Sequence, residues 1–78
     1  MDPITRGYQA QELLSNQVLK ESIEGIRNHY ITLMENVAIG DVDTQHNLVL
    51  SLQVLKEIRR QLERIVRDGQ LEESKQKR

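Results

Sequence analysis

The chain of 78 residues contains no cysteine, no phenylalanine and no tryptophan. The absence of cysteine excludes a disulfide framework, a thiolate metal site and a cysteine nucleophile, and it fits an intracellular setting. Tyr8 and Tyr30 supply the only large aromatic rings, so the core must be mainly aliphatic. The length allows one small domain at most.

Long apolar runs and an excess of charge are also missing. No run approaches the ~20 residues that a transmembrane helix needs, and Met1-Asp2-Pro3 lacks the basic start of a signal peptide. We therefore expect no contact with a membrane. The formal net charge of −1 argues against binding to duplex DNA through bulk charge.

The spacing of apolar residues predicts three helices. Asp2 as N-cap and Pro3 at the first position start a short helix over residues 3–14. Ser15 or Asn16 can cap a second helix near 17–37. Its apolar residues advance by alternating steps of three and four, and they are Leu19, Ile23, Ile26, Tyr30, Leu33 and Val37.

A third helix is predicted near 45–68. Its apolar stripe is formed by Leu48, Leu52, Leu55, Ile58, Leu62 and Ile65. Gly69 follows as a C-cap glycine that ends the helix. Residues 70–78 hold one apolar side chain, so they are predicted to form a disordered charged tail.

The segment between the long helices, "ENVAIGDVDTQHNL", contains two aspartates that suggest a calcium loop. A loop counted from Asp41 would need Gly at its sixth position and Glu at its twelfth. The chain has His46 and Leu52 there, which excludes this site. The segment is instead interpreted as a turn, in which Gly40 adopts the left-handed conformation and Asp43 or Thr44 caps the third helix.

The predicted fold is all-α: a short N-terminal helix followed by a long antiparallel helical hairpin, in one domain over residues 1–69. Two helices share only one interface, and several apolar residues fall outside it. We therefore predict a homo-oligomer, with Ile31, Val49 and Leu50 as candidate interface residues. Gly25, inside the second helix, either marks a close helix crossing or is simply tolerated.

The sequence offers no catalytic motif. His29 and His46 have no metal-ligand spacing, and the four glycines are scattered and form no phosphate-binding loop. We predict that the protein is not an enzyme and holds no metal or cofactor.

Basic residues are the candidate ligand-binding groups. Lys56, Arg60, Arg64 and Arg67 share one broad face of the third helix, and this face is either a solvated surface or an anion site. Arg59 projects into the apolar sector, where it either extends to water or contacts another subunit. Near the N-terminus, Arg6 and Tyr8 could hold a phosphate and stack on a base. The expected partner is a protein or a small phosphorylated ligand.

The stretches "QAQELLSNQVLKESIEGI", "GDVDT" and "LQVLKEIRRQLERIVRDG" resemble small helical proteins encoded by tailed bacteriophages and prophages. The resemblance covers about residues 9–69. It is one of pattern: a Leu-Leu and Asn break, an Asp-rich turn and a final helix that ends in Gly. It implies a phage origin, a location in the cytoplasm of the bacterial host, and an accessory role in virion assembly or DNA packaging.

Two alternatives stay open. A second class of phage proteins, similar in architecture only, sequesters cyclic nucleotide signals of host defence between the subunits of oligomeric helical hairpins. Tyr8 and the arginine face suit this class, in which a tyrosine near the N-terminus and basic residues hold the ligand. The other alternative is a small regulatory protein that binds and inhibits a host protein.

Overall fold

The computed structural model describes residues 2–77, and they form three helices. These are α1, Pro3–Ser15; α2, Gln17–Glu35; and α3, Val42–Gln76. The prediction of an all-α fold is confirmed. Met1, the first residue of the predicted domain, and Arg78, the last residue of the predicted tail, lie outside the described residues.

The starts of α1 and α2 follow from their capping residues. The Asp2 side chain accepts a hydrogen bond of 3.1 Å from the Ile4 backbone N–H, and Pro3 occupies the first turn. The Asn16 side chain accepts one of 2.9 Å from the Leu19 N–H. Because Asn16 itself has an extended backbone, it ends α1 and starts α2 at a single residue.

The turn between α2 and α3 differs from the prediction. α2 ends at Glu35, and none of the described glycines has a positive φ, so Gly40 is not left-handed. The cap of α3 is Asp41, which accepts a hydrogen bond of 3.2 Å from the Thr44 N–H. Asp41 has the same capping chemistry as Asp43 but stands two residues earlier, so α3 starts before the predicted position.

The predicted end of α3 at Gly69 and the predicted disordered tail are wrong. α3 continues through Gly69 to Gln76. The residues after Gly69 are mostly good helix formers, and no proline stops them. The two long helices also differ in length more than the predicted ranges 17–37 and 45–68, because α2 has 19 residues and α3 has 35.

The three helices make a long and narrow molecule. α1 packs against the C-terminal half of α3, and α2 then continues along its N-terminal half. Near the turn, the Gln45 side chain donates to the Ala38 carbonyl over 3.2 Å, and at the other end of α2 Leu19 and Leu62 line one groove. α2 therefore runs in the opposite direction to α3. The molecule measures 59 × 23 × 17 Å.

The apolar core is small. Among the described residues only Ala10 and Leu48 are buried apolar residues, and they are 3% and 9% exposed. The predicted stripe residues Leu19, Ile23 and Leu52 are half-buried. Apart from Ala10 and Leu48, the apolar residues of the described chain are thus at least partly in contact with solvent.

Candidate interaction surfaces

The closest packing in the molecule is a crossing of α1 and α3 at two glycines. A Cβ atom placed on Gly69 would lie 2.8 Å from the Pro3 carbonyl oxygen and 3.0 Å from the Gly7 Cα. A Cβ atom on Gly7 would lie 3.1 Å from the Gly69 Cα. Both glycines are buried, and the missing side chains allow the two backbones to approach each other. By contrast, a Cβ atom placed on Gly25 would have no atom of another part of the chain within 4 Å, so Gly25 marks no helix crossing.

Tyr8 extends this crossing with a polar contact. Its hydroxyl donates to the Glu73 carboxylate, at 3.0 Å from Oε1 and 2.9 Å from Oε2. This hydrogen bond is the largest cause of the raised pKa of Tyr8, and the negative charge of Glu73 is the second. The Tyr8 hydroxyl therefore faces a carboxylate, which disfavours a phosphate at the same point. Arg6 is exposed.

The candidate cations of α3 are all exposed. The Arg59 Nε lies 3.2 Å from Oε1 of Glu63, four residues later on the same helix. The Arg60 Nη1 lies 3.7 Å from Glu57 Oε2. Arg64 and Arg67 form no ion pair with another described residue. Two of the candidate arginines, Arg59 and Arg60, are thus already paired with carboxylates of their own helix.

A groove of about 600 Å³ opens where α1 ends and α2 begins, opposite the middle of α3. Its apolar part is lined by Leu13, Leu14, Leu19, Ile23 and Leu62. Its polar part holds the two cations Lys20 and Arg59 beside the carboxylates of Glu21, Glu24 and Glu63. Because carboxylates outnumber cations, the groove does not favour an anionic ligand.

Six of the exposed apolar residues of α2 and α3 share one side of the helix pair. We call this side the apolar flank and define it as Val18, Ile26, Leu33, Leu50, Val54 and Ile58. Each of these residues is at least 40% exposed. Seen from the N-terminus of a helix, each residue is rotated about 100° clockwise from the one before it. In this view the α2 members of the flank lie anticlockwise of the half-buried line through Leu19, Ile23 and Tyr30, which faces α3.

The same sense of rotation holds on α3. Val54 and Ile58 lie anticlockwise of the buried and half-buried line through Leu48, Leu52 and Leu55, and Leu50 lies farther round in the same direction. Because α2 and α3 run in opposite directions, the anticlockwise sides of the two helices face the same way. The six residues of the apolar flank therefore form one surface.

The opposite side of the pair is charged. We call it the charged flank and define it as Lys20, Glu24, Arg27, Lys56, Arg60, Glu63 and Arg67. On each helix these residues lie clockwise, in the same view, of the line of buried and half-buried residues that faces the other helix. Five cations and two carboxylates make this flank positive.

The three candidate interface residues are distributed over both sides. Leu50 belongs to the apolar flank and is 44% exposed. By helical position Val49, which is 38% exposed, and the half-buried Ile31 lie on the side of the charged flank. The three residues therefore do not share one surface of the pair.

Within residues 2–77, no helix combines the length and the apolar character that crossing a membrane requires. The same residues contain no group of three or more histidine, aspartate or glutamate side chains arranged to hold a metal ion. Comparison with protein-family models, with curated protein sequences and with solved structures gives no match for this chain.

Proposed function

We propose that the protein is a non-catalytic helical interaction protein that works as a homo-oligomer. The observation that carries this proposal is the amount of exposed surface. The accessible surface of the chain is 6293 Å², whereas a compact monomer of 9.1 kDa has about 4,900 Å². The excess is therefore about 1,400 Å² per chain.

The shape of the chain supports the same proposal. Its radius of gyration is 17.2 Å, compared with about 11–12 Å for a compact domain of this length. Among residues 2–77, twelve large apolar residues are exposed, whereas Leu48 is the only large apolar residue that is buried. Association with further chains is the ordinary way in which a small helical chain covers such a surface.

We further propose that the charged flank binds an acidic partner protein, and that the assembly is an accessory factor in virion assembly or DNA packaging. The phage role rests on the sequence pattern alone. Lys56 and Arg67 have no ion-pair partner among the described residues, so they are available to carboxylates of another protein. Association would be sensitive to salt, since exposed charges are screened over about 8 Å.

The alternative of nucleotide sequestration has less support. It needs Tyr8, Arg59 and Arg60 to meet phosphate groups. Each of them already has a carboxylate within 3.7 Å, from Glu73, Glu63 and Glu57 respectively. A phosphate would have to displace these carboxylates or lie against them, which costs electrostatic energy.

Two measurements test the proposed function. Light scattering at micromolar concentration should give a mass of at least two chains, and a folded monomer would contradict the proposal. Thermal unfolding with a panel of cyclic nucleotides should show no shift. A nucleotide at 100 times its Kd would add about 2.7 kcal/mol to the free energy of unfolding, so a large shift with one compound would favour sequestration instead.

A further inference from the structure

We infer that the apolar flank is the surface through which two copies of this chain associate, and that α2 and α3 of each copy form a four-helix bundle. This inference rests on the proposed function, because it assigns the oligomer a particular interface. The occupant of the flank is thus a second copy of the chain, not an unrelated protein.

The area of excess surface fits such an interface. A standard protein interface removes about 800 Å² from each partner, and obligate homodimers bury about 2,000 Å² or more in total. The chain exposes 6293 Å², about 1,400 Å² more than a compact monomer. For two chains this excess is about 2,800 Å². One face-to-face dimer would therefore bring each chain to the exposure of a compact protein.

The distribution of charge selects the apolar flank over the opposite side. Between the apolar residues of the flank stand only uncharged side chains, among them Ser22, His29 and Gln61. Two copies can therefore meet around Ile26, Val54 and Ile58 without bringing like charges together, whereas Glu57 borders the flank beside Leu50. On the charged flank, a second copy would place Lys56 and Arg60 against the same cations, which is unfavourable.

The geometry of the pair also suits a bundle. α2 and α3 run in opposite directions, so two copies placed face to face give four neighbouring antiparallel helices, the arrangement of many four-helix bundles. Ile26 and Val54 lie at about the same height of the pair, near the middle of the flank. Their exposures of 46% and 62% would fall sharply in the bundle.

The test compares two substitutions of valine by glutamate on opposite sides of α3. Val54→Glu places a charge inside the proposed interface, and we expect the dissociation constant measured by analytical ultracentrifugation to rise about 100-fold or more. Val49→Glu introduces the same change on the charged flank, where it should leave the dissociation constant within a few-fold of that of the unchanged chain. Circular dichroism above that constant checks that both variants keep their helices.

The outcomes separate this inference from the proposed function. If the unchanged chain is a monomer at micromolar concentration, both are wrong. If it associates but Val54→Glu has no effect, or Val49→Glu dissociates it equally, the proposed function stands and the apolar flank is not the interface.

Cross-linking gives a second measurement that does not depend on a destabilising charge. The chain has no cysteine, so a single cysteine can be placed at will. A bismaleimide long enough to span a four-helix bundle should convert Val54→Cys and Ile26→Cys into covalent dimers at low protein concentration. Val49→Cys should remain mostly uncoupled. Equal coupling of all three variants would overturn the assignment.

Discussion

Gly7 and Gly69 pack backbone against backbone where α1 crosses α3. The approach is so close that a Cβ atom on Gly69 would lie 3.0 Å from the Gly7 Cα. The crossing attaches the start of the chain to the end of its longest helix. Ala10, one turn farther along α1, is 3% exposed. Small residues thus form the best-packed part of a molecule whose core is otherwise open to solvent.

The first prediction is that Gly69→Ala destabilises the protein. The new methyl group would meet backbone atoms of Pro3 and Gly7, so a whole helix must shift. Overpacking of this kind costs about 1–3 kcal/mol, and the better helix propensity of alanine returns about 1 kcal/mol. Because the clashing atoms belong to backbone, we expect a net loss of about 1–2 kcal/mol, measured by urea unfolding at a fixed protein concentration.

Gly25→Ala is the matched control and should have the opposite sign. Gly25 lies inside α2, is exposed and has open space where its Cβ would be. Alanine there should increase the free energy of unfolding by about 0.5–1 kcal/mol. If both substitutions stabilise the protein, the crossing of α1 and α3 is looser than described.

The capping residues show what local sequence can predict. Asp2 is predictable as a helix start, and Asn16 as one of two candidates with Ser15, because a cap acts through hydrogen bonds to residues two or three positions away. The Arg59–Glu63 pair was predictable for the same reason. Each of these features is contained in a short window of the chain.

The crossing shows what local sequence could not predict. Gly69 has the local features of a helix end, yet α3 continues through it. The cost of about 1 kcal/mol for a glycine inside a helix is offset by contacts with α1, and Tyr8 and Glu73 are 65 residues apart. One signal was available: Gly7 and Ala10 place two small residues on one face of α1. Their partner on α3 could not be deduced from spacing.

The second prediction concerns the pH dependence of the Tyr8–Glu73 bond. The pKa of Tyr8 is raised in the folded state by Glu73, so its contribution to stability is fully present below the unfolded tyrosine pKa of about 10. It is lost as the pH rises through the higher folded value. Tyr8→Phe should therefore lower the melting temperature at pH 7–9, and the difference from the unchanged chain should shrink above about pH 10.

Glu73→Ala provides the check on this assignment. It removes the acceptor of the same bond, so the double variant should lose less than the sum of the two single variants. Additive effects would mean that Tyr8 and Glu73 act independently. No effect of Tyr8→Phe at any pH would mean that ring packing matters and the hydroxyl does not.

The third prediction is that the last turns of α3 are needed for stability. A chain that ends after Asp68 lacks Gly69 and Glu73, which contact Gly7 and Tyr8. We expect α1 to lose its fixed position, and the helical signal in circular dichroism to fall by more than the removed residues contribute. A chain that ends after Gln76 retains the whole of α3 and should unfold at the same urea concentration as the full chain. Equal behaviour of the two shortened chains would favour a dispensable tail.

The fourth prediction concerns the break between α1 and α2. Asn16 ends one helix and caps the next with its side-chain oxygen, 2.9 Å from the Leu19 nitrogen. Asn16→Ala removes this bond and should lower the free energy of unfolding by about 0.5–2 kcal/mol, whereas Asn16→Asp retains a good capping group and should change it little.

Alanine at position 16 also lets α1 and α2 join in one straight helix, which cannot keep both the crossing at Gly7 and the contact of α2 with α3. The helical signal of Asn16→Ala should therefore stay constant or rise while stability falls. A rise in both would show that the break contributes nothing to the fold.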